Sequence, residues 1–263
     1  MADLSRIARK LRRAVFRNDP GYYDMYLNRG ERYFARLYLH QIRHILSTHR
    51  PGDPLLVLDA GCQAGRLAVP LAQDGHRVTG VDTSAFALRR LTDHAREAGI
   101  SLRTIRADLT RWLPTQPPAA YDVALCAEVL YLRKNYRALL DGLIRVLKPG
   151  GVGFVSHRPR GYYLAEALRR HDPDVAHRVL TASEGVLWGS YYNWQDWGDL
   201  EALYGQLPVE VLAITPIGPL SWIAVNPETL DDAGQEALFR ADLALQAQNP
   251  GLGRYLLVTF TTR

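Results

Sequence analysis

The sequence predicts a doubly wound α/β domain with a mostly parallel sheet, preceded by helices and carrying an inserted aromatic-rich cap. Three observations predict it. Apolar runs of strand length alternate with amphipathic runs of helix length from residue 55 onward. The stretch "VLDAGCQAGRLAVPLA" (57–72) reads as a strand, a tight glycine turn and a helix. Acidic residues recur where the strands end, and ligands of such sheets bind beyond the carboxyl ends of the strands.

Each element has its own warrant. Residues 55–60 are a compact apolar run, hence a buried strand, and 63–73 have helical spacing. "HRVTGVD" (76–82) is a second strand, followed by a helix over 84–98 with Ser84 as its N-cap. "SLRTIRADL" (101–109) is a third strand, and the proline-rich "PTQPPAA" a loop. "YDVALCAEVL" (121–130) opens as a fourth strand, and a helix over 135–147 stops at Pro149-Gly150-Gly151. Residues 151–157 are a fifth strand. Beyond them the pattern predicts a helix over 161–171, a Trp/Tyr-rich segment at 186–197, a strand at 209–217, a helix at 227–248 and a strand at 254–262. The expected organisation is a helical cap over 1–50 and the main domain over 51–263, with cap insertions at about 158–208 and 219–250.

Composition narrows the class. The chain has 263 residues, 47% of them hydrophobic, enough for one large core. No apolar run is long enough to span a bilayer and no signal-peptide core follows Met1, so a cytoplasmic protein is expected. The two cysteines, Cys62 and Cys126, lack metal-ligand spacing, which fits a reducing compartment. The net charge of +5 is uneven: residues 1–50 carry a net +7 and the rest a net −2. In "LSRIARKLRRAVFR", Leu4, Ile7, Leu11, Ala14 and Val15 line one face and Arg6, Arg9, Lys10, Arg13 and Arg17 the other. That pattern suits a helix docked on its own domain, and also, as a lesser reading, a peripheral membrane contact through residues 4–17; the arginine-rich start faintly resembles a transit peptide.

The glycine turn fits neither common phosphate cradle. Gly61 and Gly65 are separated by three residues with Gln63 between them, which breaks G-x-G-x-x-G, and no lysine follows Gly65. At the strand ends lie Asp59, Asp82, Asp108 and Glu128, a row of carboxylates with no basic residue placed to meet phosphates. Such a rim suits a phosphate-free nucleoside that offers hydroxyls, amines and a positive charge, as S-adenosylmethionine does.

The motifs carry a resemblance. "LDAGCQAG", "VDTS", "ADL", "YDVALCAEVLYL" and "RVLKPGG" occur in the order and spacing of class I S-adenosylmethionine-dependent methyltransferases, over residues 55–157. The resemblance implies a seven-stranded Rossmann-like sheet with S-adenosylmethionine as cofactor and S-adenosylhomocysteine as its product. It implies that Asp82 accepts from the ribose hydroxyls, beside Thr83. It puts Ala107, Asp108 and Leu109 at the adenine, with Gly61, Cys62 and Gly65 at the methionine part. Asp59 would orient the turn or reach the α-amino group, and Cys126 and the aromatic pair Tyr22 and Tyr23 would border the cofactor. Each of these acids could instead cap the next helix. Gln63 departs from the family's middle glycine; little backbone cost is expected, and its side chain would lie near the methionine end.

The acceptor is read less directly. The segment after the fourth strand, "CAEVLYL", lacks the proline of base-modifying enzymes and is similar to small-molecule and quinone-type methyltransferases. A small acceptor is therefore expected over nucleic acid. A phenol or carbon acid needs a base, and His157, at the end of the fifth strand, is the candidate, with Glu128 and Tyr131 across the cleft. His76, His94, His171 and His177 read as surface or helix-end residues. Two segments should cover the site: "DPGYYDMY" (19–26), and 186–197, with Trp188, Tyr191, Tyr192 and Trp194 shaping the acceptor pocket, or else packing a core. No residue set resembles a magnesium or zinc site, so no metal is expected. An RNA methyltransferase using the basic N-terminus and a non-catalytic S-adenosylmethionine-binding partner remain as alternatives.

Overall fold

A computed structural model describes residues 24–50, 52, 54–246, 248–249 and 251–263. The amphipathic stretch 4–17 and the pair Tyr22 and Tyr23 lie outside the described residues.

Helix α1 (Arg29–His49) begins where the Asn28 side chain accepts from the Glu31 N–H at 2.8 Å. The alternation follows: β1 (Leu56–Ala60), α2 (Ala68–Gln73), β2 (Arg77–Asp82), α3 (Ala85–Glu97), β3 (Arg103–Arg106), α4 (Leu109–Trp112), β4 (Tyr121–Cys126), α5 (Tyr136–Val146) and β5 (Leu147–His157). Next come α6 (Arg160–Arg169), α7 (Pro173–Thr181), the short strands β6 (Glu184–Leu187) and β7 (Ser190–Asn193), and α8 (Trp197–Tyr204). The chain ends with β8 (Val209–Ile217), α9 (Pro219–Ile223), α10 (Asp232–Gln246) and β9 (Tyr255–Thr262). Ser84 caps α3 as expected, accepting from the Ala87 N–H at 3.1 Å. Several boundaries differ from the expectation: β5 opens at Leu147 and not at 151, and α10 starts at Asp232 and not at 227. Residues 63–67 stay in the turn, so α2 starts late. Strand β3 ends at Arg106 because Asp108 caps α4 instead of extending the strand.

The seven main strands form one sheet in the order β3-β2-β1-β4-β5-β9-β8. Strands β1 to β5 pair in parallel, and β9 runs antiparallel to both β5 and β8. The order reverses between β1 and β4, which opens a crevice at their carboxyl ends.

Side-chain parity sorts the core onto two faces. Val57, Val123, Leu125 and Phe154 join the face covered by α1 and α2. Leu58, Ala124, Cys126 and Val155 join the face covered by α5 and α8. A satellite core lies outside the sheet, where Tyr163 and Ala167 of α6 and Val175 and Val179 of α7 pack on Leu187 and Trp194.

The aromatic segment is thus a hairpin with its own core. Trp188 and Gly189 form the two-residue loop, at φ +50° and +84°, as a primed turn requires. Trp194 is 0% exposed and donates its indole N–H to the Ala182 carbonyl at 2.7 Å. Its rings meet Tyr163 at 5.4 Å. Trp194→Ala should cost about 3–5 kcal/mol, the scale for a fully buried large aromatic. Denaturant unfolding followed by circular dichroism checks this; a loss under about 1 kcal/mol would show that the satellite core does not depend on the indole.

Candidate functional site

The crevice at the switch point is a cavity of ≈ 460 Å³. Its walls are the glycine turn after β1, the end of β2, the start of α4 and the loop after β4. Among the expected site residues, Asp59, Gly61, Cys62, Gln63, Asp82, Thr83, Leu109, Glu128 and Tyr131 line it together.

The turn is built by glycine at two positions. Gly61 and Gly65 both sit at φ +89°. A Cβ on Gly61 would lie 2.3 Å from Val129 Cγ2, and one on Gly65 would lie 2.2 Å from Leu91 Cδ1. Gly65 therefore supports the turn from α3 and does not itself line the cavity. Gln63 stands at φ +46°, which corrects the expectation of little backbone cost: a side chain in the left-handed region costs about 1–2 kcal/mol. Local hydrogen bonds offset it. The Gln63 N–H donates to Asp82 Oδ2 at 3.0 Å, and Gln63 Oε1 accepts from the Ala64 and Met25 N–H groups at 2.5 and 3.3 Å. Met25, from the segment expected to cover the site, lines the cavity through this contact.

Asp82 is held from both sides. Its Oδ1 accepts from the Ser84 N–H at 2.9 Å while Oδ2 accepts from Gln63. Each oxygen retains lone-pair capacity toward the cavity. Asp59 is 3% exposed. Burial pushes its pKa up to about 7; Arg66 opposes the rise and the Asp82 charge adds to it. Cys62 is buried in the wall, and burial pushes its thiol well above the ordinary range.

Two basic cavity residues escaped the sequence reading, and they correct the claim that no basic residue stands at the rim. Arg66 and Arg133 both line it. Arg133 lies 3.8 Å from Asp108. Arg66 is buried between two carboxylates, donating to Glu31 Oε2 at 2.7 Å and to Glu128 Oε1. Glu128 also accepts from the Tyr255 hydroxyl at 2.5 Å. Burial raises the Glu128 pKa, but Arg66, Arg254 and Arg158 together hold it below the ordinary range. Glu31 goes the other way: burial and the Glu128 charge raise it despite Arg66. Arg66 directly follows Gly65, the one sequence signal for it; its partners lie 35 residues before it and 62 after.

Several expected site residues lie elsewhere, and parity explains two of them. His157 is on the opposite face of β5 from the cavity, 0% exposed under α8. Its Nδ1–H donates to Gln195 Oε1 at 3.1 Å, and its Nε2 accepts from the Tyr204 hydroxyl at 3.0 Å. Burial lowers its pKa to about 4 although the Gln195 bond opposes that. The expectation that His157 faces the cleft as a base is thereby corrected. Cys126 points to the same far face and is fully buried. Ala107 packs on that core, and Asp108 caps α4, accepting from the Thr110 N–H at 2.9 Å.

Glu128 and Tyr131 do face the cleft, but neither is a free base. The Glu128 carboxylate is held by Arg66 and Tyr255. Burial raises the Tyr131 phenol to about 12, although Arg158 beside it pulls the other way. The hairpin residues do not line the cavity. Trp188 donates to Asp172 Oδ2 at 3.2 Å, Tyr191 to Glu184 at 2.7 Å, Tyr192 packs on Tyr163, and Trp194 is core. Their segment touches the site indirectly, since Asn193 Nδ2 donates to the carbonyls of Leu130 and Arg133 at 3.0 and 3.1 Å. His94 lies in the last turn of α3, as the helix-end reading has it, but it is not on the surface. It is 2% exposed, stacked on Tyr26 at 4.2 Å and bonded to Asp24 at 3.1 Å, which ties the segment before α1 to α3.

The sheet order, the glycine turn and the acids around the crevice are those of the class I S-adenosylmethionine-dependent methyltransferase fold, and the chain is similar to that family. Residues 57–151 match the family described as "Methyltransferase domain". The chain is 37% identical over 172 residues to a ubiquinone biosynthesis O-methyltransferase of Idiomarina loihiensis, covering 65% of this chain and 63% of that one. It spans about half the length of several other curated relatives of the same name, for example 48% in Rickettsia canadensis. Among solved structures, the magnesium protoporphyrin IX methyltransferase of Synechocystis, with bound S-adenosylhomocysteine, superposes with a TM-score of 0.58 at 16% identity. That match covers 87% of this chain and 84% of the other. A [4+2]-cyclase superposes with a TM-score of 0.56 at 18% identity, covering 84% and 80%.

The Asp59 environment fixes a pH dependence. Between about pH 4 and 7 the folded state holds a proton on Asp59 that the unfolded state has lost, so raising pH through that window favours unfolding. The stability difference between the native protein and Asp59→Asn should therefore shift against the native protein as pH rises from about 4 to about 7, then level off. Urea unfolding at stepped pH measures it; a flat difference would mean that Asp59 titrates near its ordinary value.

Proposed function

We propose that this protein transfers the methyl group of S-adenosylmethionine to a small-molecule acceptor, at oxygen or nitrogen. The observation that carries the reading is Asp82: a carboxylate at the end of β2, anchored by two backbone N–H groups and open to a cavity next to a glycine turn. The cavity's donor set fits the cofactor. Asp82 would accept from the ribose hydroxyls, the apolar Leu109 would face the adenine, and Gly61 would let the methionine part lie against the backbone. Asp59 would meet the α-amino group, whose positive charge would draw the carboxyl to its ionised form.

When bound, the cofactor supplies an activated methyl group for in-line displacement. The chain's contribution is alignment in a partly dry pocket, which alone accounts for a large share of such barriers. No histidine lines the cavity among the described residues. This favours an acceptor whose attacking atom is nucleophilic on arrival, as an amine or an already acidic hydroxyl is. The relatives named for ubiquinone biosynthesis support a small acceptor. Because no histidine is among the described residues of the lining, one second reading stands: a protein that binds the cofactor and uses the fold for other chemistry.

Isothermal titration should show S-adenosylhomocysteine binding. Asp82→Asn should weaken it by about 2–4 kcal/mol, the scale of two hydrogen bonds to a charged acceptor. Asp82→Ala, which also frees the turn, should weaken it at least as much. Affinity equal to that of the native protein in both variants would remove Asp82 from the site. For turnover, release of S-adenosylhomocysteine is followed over a panel of amines and phenols; tight binding with no release on any acceptor would favour the second reading.

A further inference from the structure

The segment before α1 is fastened at the cofactor cavity by two ends. At one, the Met25 N–H donates to Gln63 Oε1 at 3.3 Å, and Met25 and Gln63 both line the cavity. At the other, the Asp24 carboxylate accepts from Arg90 Nε at 2.9 Å and lies 3.1 Å from His94 Nε2, while the Tyr26 ring stacks on His94 at 4.2 Å. Asp24 Oδ1 also accepts from the Tyr26 and Leu27 N–H groups at 3.0 and 3.3 Å, which folds residues 24–27 into a tight turn. Leu27 is 55% exposed, so little apolar packing holds this strap between its ends.

Both ends lead back to one carboxylate. Asp82 Oδ2 accepts from the Gln63 N–H, and the Gln63 side chain carries the connection on to Met25. Asp82 Oδ1 accepts from the Ser84 N–H, and Ser84 caps α3, the helix that holds Arg90 and His94. The two ends are unequal. The α3 end joins a carboxylate to a guanidinium, whereas the Gln63 end is one long bond between neutral groups, the weaker kind. The Gln63 end is therefore the one that opens first. The backbone there points the same way. Glycine would adopt φ +46° without steric cost, but glycine carries no acceptor to Met25. The strained residue is the one whose amide reaches the strap.

We propose that Gln63 is a positioning residue that holds residues 24–27 closed against bound cofactor, and that release of its bond to Met25 opens the cavity for cofactor exchange. The α3 end acts as the hinge. This assignment rests on the methyl-transfer reading above, and it adds the contact that sets how long the cofactor stays. With Met25 closed on the cavity, water access during transfer is reduced.

The test measures the dissociation rate of S-adenosylhomocysteine from the immobilised full chain, with thermal unfolding followed in parallel. Gln63→Gly and Gln63→Ala should each speed dissociation by about three- to tenfold, the scale of one lost hydrogen bond. Their stabilities should part. Glycine relieves the left-handed backbone and alanine does not, so the glycine variant should unfold at the higher temperature. A merely structural role would instead make dissociation follow stability. Asp24 does not line the cavity, yet Asp24→Ala should also speed dissociation, by loosening the hinge. In the Gln63→Gly background, where the strap is already released, Asp24→Ala should add less than about twofold. A native rate in Gln63→Gly, a rate that follows stability, no effect of Asp24→Ala, or the same acceleration by Asp24→Ala in both backgrounds would overturn the proposal. Failure of the native protein to bind S-adenosylhomocysteine would instead strike the methyl-transfer reading.

Discussion

The architecture of the site hangs on one guanidinium. Arg66 leaves the glycine turn and is buried between Glu31 of α1 and Glu128 of the loop after β4. A buried ion in that position is stable only while both partners stay, since removing one leaves an uncompensated charge in a dry place. The pairing therefore locks three segments that are distant in sequence. It fixes where α1 crosses the sheet and how the turn faces the cofactor cavity. It also helps hold Glu128 at φ +64°, a left-handed conformation that a glutamate rarely adopts; the Glu128 N–H meeting Ser156 Oγ at 2.6 Å completes the clamp. Tyr255 of β9 closes the network from below.

The inserted cap acts on the site by bracing it. Asn193 fixes its amide by donating to the Leu130 and Arg133 carbonyls. Its Oδ1 then accepts from Gln195 Nε2 at 2.9 Å, which turns Gln195 Oε1 toward His157 and sets that imidazole's tautomer. Tyr204 of α8 completes the chain. A buried polar chain with every link satisfied rigidifies what it joins. Here it joins the hairpin, the fifth strand, α8 and the loop whose residues 131–133 wall the cavity. A histidine that looks placed for proton transfer is a strut, and burial, which lowers its pKa to about 4, favours its neutral form.

The fold was legible because its signals are local. Strand and helix periods, the glycine turn and the Ser84 cap are each written within a few residues, and they gave the sheet and its crevice. The acids Asp59 and Asp82 followed because strand ends converge at a switch point. What stayed hidden depends on parity or on distant partners. Between Cys126 and Glu128, or between Ser156 and His157, one or two positions decide which face a side chain takes, and strand-end irregularity blurs that count. The aromatic cluster at 186–197 could pack a core or line a pocket, and composition alone does not separate those. Arg66 looked unremarkable because nothing near it in sequence announces Glu31 or Glu128.

Distance from Arg66 accounts for the opposite behaviour of two carboxylates in one cavity. Glu128 touches Arg66 and Tyr255 directly, so the charged form is favoured even when fully enclosed. Asp59 is equally enclosed but feels Arg66 only at longer range, with Asp82 nearby adding repulsion, and desolvation wins. A site with one carboxyl fixed as an anion and another poised to lose its proton is complementary to an arriving cation. Ionising Asp59 is unfavourable in the bare pocket and becomes favourable beside an ammonium group. The cost of keeping Asp59 in the wall is then offset at the moment of binding, so the wall is electrostatically adapted to a zwitterionic, positively charged ligand more than to a phosphate-bearing one.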